Sequence, residues 1–213
     1  MAKKIFITAT NTDIGKTYTT KKLIQTYAQL GYKVGVVKPI ETGAEDVGVD
    51  ASALLKEVQH YNKDFLNITH KDITPITFLL PAAPFIASNF QEIDIEFIKN
   101  HIKKMEQLCD ILLIEGAGGL YVPINKEYMM LDLIAELDVT AFLVTHCSLG
   151  CINDTLLSHN ALMQRGISHS VIFNCKEKDS SFDIVSKPYF DAVGFEVLTL
   201  QNDLEKIAQR GLL

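Results

Sequence analysis

Gly15-Lys16-Thr17 stands between a short apolar run and a helix-forming segment, a residue set suited to holding phosphate. Gly15 lets backbone N–H groups approach phosphate oxygens, Lys16 supplies a mobile cation, and Thr17 offers a hydroxyl to Mg²⁺. The stretch before it, Thr8-Ala9-Thr10-Asn11-Thr12-Asp13-Ile14, is small and polar. Thr10 occupies the place where the pattern GxxxxGK[ST] has its first glycine, so the strand–loop–helix context carries the assignment. A helix start with a surface lysine would leave that polar loop unexplained.

Two further groups end apolar strands. Lys38, in Val36-Val37-Lys38-Pro39-Ile40-Glu41-Thr42-Gly43, would point into the crevice beside the loop, or else be a solvated edge lysine. Glu115 follows Ile111–Ile114 and precedes Gly116-Ala117-Gly118-Gly119. This is the Walker-B position, where a carboxylate can bind Mg²⁺. A carboxylate adjoining a buried strand is costly unless paired or metal-bound. Asp50, just before a helical segment, reads from its position as an N-cap.

The elements that must position these groups alternate. Strands are expected at Lys4–Thr8, Val34–Val37, Ile111–Ile114, Val139–Thr145, Ser170–Phe173 and Phe195–Leu200. Helices are expected at Lys16–Leu30, Ala51–Val58, Ile95–Leu108, Ile152–Gln164, Phe182–Tyr189 and Leu204–Gln209. Gly31 is placed to end the first helix. Ile95, Phe97, Ile98, Ile102 and Met105 form one apolar face. Asp72–Asn89, with Pro75, Pro81 and Pro84, reads as an ordered surface loop. Strand–helix alternation implies a doubly wound, mostly parallel α/β sheet with ligands at the carboxyl ends of its strands. No repeat or linker divides the sequence, so residues 1–213 read as a single domain.

Composition narrows the function. The 213 residues carry 20 basic and 26 acidic side chains, a net charge of −6 that disfavours general nucleic-acid binding. No apolar run reaches bilayer length and no secretory segment is evident, so a soluble cytoplasmic protein without membrane contact is expected. Cys109, Cys147, Cys151 and Cys175 lack CxxC spacing and are expected as reduced thiols, with Cys147 and Cys151 small and buried. The six histidines show no zinc-ligand spacing. Met129-Met130 reads as core packing.

Together the motifs resemble the dethiobiotin synthetase family, a P-loop NTPase-like group. Its loop GTDTxVGKT is similar to Ala9 through Thr17, and KPxxSG to Lys38 through Gly43. EGAGG is matched by Glu115 through Gly119, and LGCIN by Leu149-Gly150-Cys151-Ile152-Asn153. Pro81-Ala82-Ala83-Pro84 resembles the family's proline-containing loop. Departures are Ala9 for a glycine, Asp13 for Glu, and Cys175–Asp179 where relatives carry a proline-containing base loop.

The resemblance implies an ATP-dependent ligase that joins CO₂ to 7,8-diaminononanoate and closes a ureido ring. Asn11, Thr12, Asp13, Ile14, Gly15, Lys16, Thr17, Glu115, Gly118 and Asn174 would bind nucleotide, with Asn174 at the adenine. Thr17, Asp50 and Glu115 would hold Mg²⁺, which lifts Asp50 above a simple N-cap. Lys16, Lys38 and Thr12 would act in catalysis. Thr12, Lys38, Thr42, Gly150, Cys151, Ile152 and Asn153 would bind substrate, the last four from the neighbouring subunit of a homodimer. An alternative is a nucleotide-driven switch acting on a macromolecular partner. The extra early lysine of such proteins is missing from Ala9–Asp13. An amidotransferase-type synthetase would need a glutaminase domain, for which 213 residues leave no room, so that reading would require a separate glutaminase partner.

Overall fold

The computed structural model describes residues 2–176 and 181–213. Six strands form one sheet in the order β2-β5-β1-β6-β7-β8, and every pairing is parallel. They are β1 (Lys3–Ala9), β2 (Val34–Val37), β5 (Ile111–Glu115), β6 (Thr140–His146), β7 (His169–Asn174) and β8 (Leu198–Thr199). The central strands are buried along nearly their whole length, which their continuous Ile, Leu, Val and Phe runs require when helices cover both faces. Two short strands, β3 (Ile40–Thr42) and β4 (Ile76–Phe78), pair separately.

The helices are α1 (Lys16–Gln29), α2 (Val49–Tyr61), α3 (His70–Ile73), α4 (Pro84–Ala87), α5 (Ile95–Met105), α6 (Met130–Leu137), α7 (Cys151–Gln164), α8 (Phe182–Val185), α9 (Lys187–Ala192) and α10 (Leu204–Leu212). α1 leaves β1 through the phosphate loop and packs its Leu23, Ile24 and Tyr27 into the core. On its rear side the Tyr27 hydroxyl donates to the Ala208 carbonyl of α10, 2.9 Å away. A methyl on Gly211 would strike Tyr27, Ile5 and Phe142, so α10 lies close against that core.

Several expectations need correction. The helix expected over Phe182–Tyr189 breaks at Ser186, because Pro188 lacks the N–H that a continuous helix needs. The strand expected over Phe195–Leu200 pairs only at Leu198–Thr199. Phe97 is exposed; the buried face of α5 is Ile98, Ile102 and Met105, followed by a 3₁₀ turn at Glu106–Leu108. The segment 72–89 contains β4 and α4, since Pro75 precedes the strand and Pro84 opens the helix, where its missing N–H costs little. α2 begins at Val49 after Gly48, so Asp50 lies inside the first turn and is not the N-cap.

The cysteines depart from the reduced state expected of them. Cys147 and Cys175 form a disulfide with Cα atoms 5.0 Å apart. The parallel register explains it: His146 pairs with Asn174, so the next residue of each strand emerges side by side. Cys109 and Cys151 are free. Of the departure at Cys175–Asp179, positions 177–179 lie outside the described residues. Among the described residues, no helix is long and apolar enough to cross a membrane.

Candidate functional site

The carboxyl ends of β1, β2 and β5 open onto a cleft of about 540 Å³. The loop after β1 forms one wall. Gly15 adopts φ +104°, a left-handed conformation that places α1's first N–H groups at the cleft, and Asp13 is left-handed too. A Cβ on Gly15 would also collide with the Asn174 amide. Ala9 ends β1 without positive φ, so alanine is tolerated there. Lys16, Thr17, Thr12 and Asp13 line the cleft, facing Thr42, Asp50, Ala117, Gly118 and the Pro81–Pro84 loop.

Beneath this surface runs a network of charged groups. Lys38 is 4% exposed, and its Nζ bonds both Asp50 Oδ2 and, at 2.9 Å, Glu115 Oε1. Glu115 is fully buried and accepts from Thr17 Oγ1 at 2.8 Å and Thr20 Oγ1 at 2.7 Å. Burial opposes the Lys38 charge, but Glu115 and Asp50 outweigh it and hold its pKa above the ordinary lysine value. Asp50 is also opposed by burial, yet the Lys38 charge and hydrogen bonds from Lys38 and Thr17 keep its carboxyl below the usual range. Lys16 differs: burial lowers its pKa, Lys38 adds to that, and the attraction of Glu115 does not compensate. Among the described residues its Nζ hydrogen-bonds the Asn11 carbonyl alone, at 3.4 Å.

Two carboxylates therefore converge on a buried cation, and the Thr17 hydroxyl bonds the carboxylates in turn. Among the described residues no cluster of three or more His, Cys, Asp or Glu is arranged for a metal. The set formed by Thr17, Asp50 and Glu115 is nonetheless hard oxygen throughout. It fits Mg²⁺, which is commonly held by one or two carboxylates together with water and phosphate oxygens.

Other expected residues lie elsewhere. Asn174 Nδ2 donates to the Ile14 carbonyl at 2.8 Å, so its amide braces the loop from behind, and its Oδ1 accepts from Gln201 at 3.4 Å. Asn11 Oδ1 accepts from the Thr12 N–H at 2.8 Å and shapes the loop turn. Gly150, Cys151, Ile152 and Asn153 begin α7 and do not line the cleft. The Cys151 N–H is taken by the Ser148 carbonyl at 3.1 Å. The Asn153 side chain donates to Asp154.

Sequence reasoning missed Thr20 and Glu41. Thr20 stands one turn after Lys16 on the same helix face, a spacing that could have marked it. Glu41, buried on β3, accepts from the N–H groups of Asp50 and Ala51, each at 3.0 Å. Burial raises its pKa against the lowering effects of Lys38 and those bonds.

A parallel sheet with a glycine–lysine–threonine loop entering a helix, and a strand-end carboxylate on that loop's threonine, defines a P-loop NTPase. A family model described as an AAA domain matches residues 3–200. Solved structures share the fold: the MinD cell division protein of Aquifex aeolicus aligns over 99% of this chain and 87% of its own, with a TM-score of 0.54 at 19% identity. A plasmid partition protein of Borrelia burgdorferi aligns over 99% and 96%, with a TM-score of 0.55 at 14% identity. Closer in sequence is the ATP-dependent dethiobiotin synthetase BioD of Sulfurovum sp., 47% identical over 96% of this chain and 98% of that one. The BioD of Wolinella succinogenes is 37% identical over 97% of both. The chain belongs to the dethiobiotin synthetase family of ATP-dependent ligases.

Proposed function

We propose that this chain makes dethiobiotin from 7,8-diaminononanoate, CO₂ and ATP, using the cleft above Lys38 as its reaction centre. One amine takes up CO₂ as a carbamate. A carbamate oxygen attacks the γ-phosphorus and displaces ADP, forming a carbamic–phosphoric anhydride. The second amine attacks the carbamoyl carbon, phosphate leaves, and the ring closes. These steps demand alignment and charge neutralisation more than covalent help from the protein.

The observation that carries the site assignment is the Lys38–Asp50–Glu115 network beside the phosphate loop. Lys16 would hold the β- and γ-phosphates, with the N–H groups from Asn11 to Thr17 around them and Gly118 opposite. Lys38, kept protonated by its carboxylate partners, would serve as a fixed positive charge between γ-phosphate and carbamate. Thr12 and Thr42 would hydrogen-bond the carbamate or diamine, and Asn174 with Gln201 marks the side where the base would lie. Thr17, Asp50 and Glu115 would hold Mg²⁺, which when bound offsets phosphate charge.

The substrate's carboxylate lies a long chain away from its amines. Gly150–Asn153 of a two-fold-related subunit would receive it, at the N-terminus of α7. Exposed Leu149 just before α7 and exposed Leu157 within it favour an interface on this helix. The proposed location is the cytoplasm.

The test is phosphate release with bicarbonate, Mg²⁺, ATP and 7,8-diaminononanoate, with mass spectrometry of the product. Dethiobiotin formation that requires the diamine is expected. ATP turnover stimulated by a protein or DNA, and indifferent to the diamine, would overturn the proposal.

A further inference from the structure

Glu41 is a buried carboxylate that the mechanism above leaves unused. It sits on β3, in the small second sheet, and reaches across to the first turn of α2. Its Oε1 accepts from the Asp50 N–H and its Oε2 from the Ala51 N–H, both at 3.0 Å. These are N-terminal helix donors without an intrahelical partner, and a carboxylate is their strongest kind of acceptor. The helix's own N-cap residue, Gly48, has no side chain to serve them.

Gly48 supplies a second, independent observation. Its backbone, at φ −69° and ψ 145°, is ordinary extended geometry open to any residue. What a side chain there would contest is space: a Cβ would fall on the Glu41 carboxylate, which would have to shift. The sequence thus gives up a capping side chain at position 48 and leaves the helix start to Glu41.

What Glu41 fixes is the residue carrying Asp50's carboxylate. The same residue that gives its N–H to Glu41 turns its side chain to Lys38, and Lys38 bonds Glu115. We propose that Glu41 is a positioning residue for the Mg²⁺ site, holding Asp50 through its backbone so that the Asp50 carboxylate meets the metal at the right place. Glu41 also fills α2's N-terminus. The inference rests on the reading of Asp50 as a metal ligand.

The experiment titrates Mn²⁺ as a spin probe into the protein–ADP complex, followed by electron paramagnetic resonance, so no turnover is needed. Metal-free ADP affinity and thermal melting are measured in parallel. Asp50→Asn serves as the benchmark and should weaken Mn²⁺. Glu41→Ala should weaken Mn²⁺ by about tenfold, as loss of a ligand's supporting group does, with metal-free ADP affinity unchanged. Glu41→Gln, whose amide can accept only one of the two N–H groups, should fall between. Gly48→Ala should reproduce the Glu41→Ala defect, and in the double variant the two losses should not add, because the methyl then has room. Unchanged Mn²⁺ affinity in folded Glu41→Ala and Glu41→Gln, even with a lower melting temperature, overturns the proposal. So does a parallel loss of metal-free ADP affinity. If Asp50→Asn leaves Mn²⁺ binding intact, the metal-ligand reading itself fails and this inference fails with it. Dethiobiotin formation by the wild type is scored separately and does not decide it.

Discussion

Lys38 Nζ and Glu115 Oε1 are 2.9 Å apart, although 77 positions separate them in sequence. The pairing of β2 with β5 sets Val37 beside Ile114, so the next residue of each strand emerges together at the carboxyl end. A buried ammonium and a fully buried carboxylate thus neutralise each other beneath the phosphate loop.

Glu115→Gln keeps this volume and two hydrogen-bond partners but removes the charge. The expected outcome is an apparent Mg²⁺ affinity at least about tenfold weaker, with metal-free nucleotide affinity retained. Mg²⁺ titration of initial rates, beside nucleotide titration in chelator, checks it. A Mg²⁺ dependence matching the wild type would remove Glu115 from the metal site.

The two lysines should separate in stability. Lys38→Ala strands the buried Glu115 carboxylate, and breaking such a pair costs about 3 kcal/mol or more. Lys16 has a depressed pKa and, among the described residues, no carboxylate bond, so Lys16→Ala should leave denaturant midpoints near wild type. Both should lower kcat by about 10²- to 10³-fold, as loss of a charge-stabilising group does. Equal denaturation midpoints for the two variants would contradict the network.

The Asp50 carboxyl titrates below its ordinary value of 3.8 in the folded protein. Its stabilising contribution is therefore complete above that value and lost as pH falls through the lower folded pKa. The unfolding free energy of wild type minus that of Asp50→Asn should be flat near neutrality and shrink only on the acid side. A difference that already declines around neutral pH would refute this assignment.

Base choice should be weakly enforced. Asn174 gives one amide N–H to the Ile14 carbonyl and its Oδ1 accepts from Gln201, which leaves fewer hydrogen bonds to read a base edge. ATP, GTP and CTP should support comparable turnover. An ATP preference of several orders of magnitude in kcat/KM would count against it.

Subunit sharing is tested by co-refolding Lys16→Ala with Asn153→Asp. Each homodimer should be poor, and random pairing should restore roughly a quarter of wild-type activity through one intact composite site per heterodimer. No gain on mixing, with exchange confirmed, would place the carboxylate site within one chain.

The sheet and the loop were legible because buried parallel strands leave continuous apolar runs, and the phosphate loop is local in sequence. The second sheet was not: β3 and β4 have three residues each, too few to show a period. α6 is only eight residues long, so the helical spacing of Met130, Leu131, Leu133, Ile134 and Leu137 spans barely two turns. The Cys147–Cys175 bond and the Lys38–Glu115 contact both depend on which strands are neighbours, and strand order is written in no single motif. Glu41 was invisible for a related reason. Its partners are main-chain N–H groups, and every residue but proline carries one.

The hydroxyl of Tyr27 waits for an acceptor 181 residues downstream. During synthesis, α1 can form and present Lys16 early, yet its rear face stays uncovered until the segment around Ala208 has left the ribosome. Contacts of such long sequence separation are the slow ones in folding. Ile5 and Tyr27 therefore wait at the back of the phosphate loop, Phe142 joins them only once β6 has been made, and α10 must follow before all three are covered.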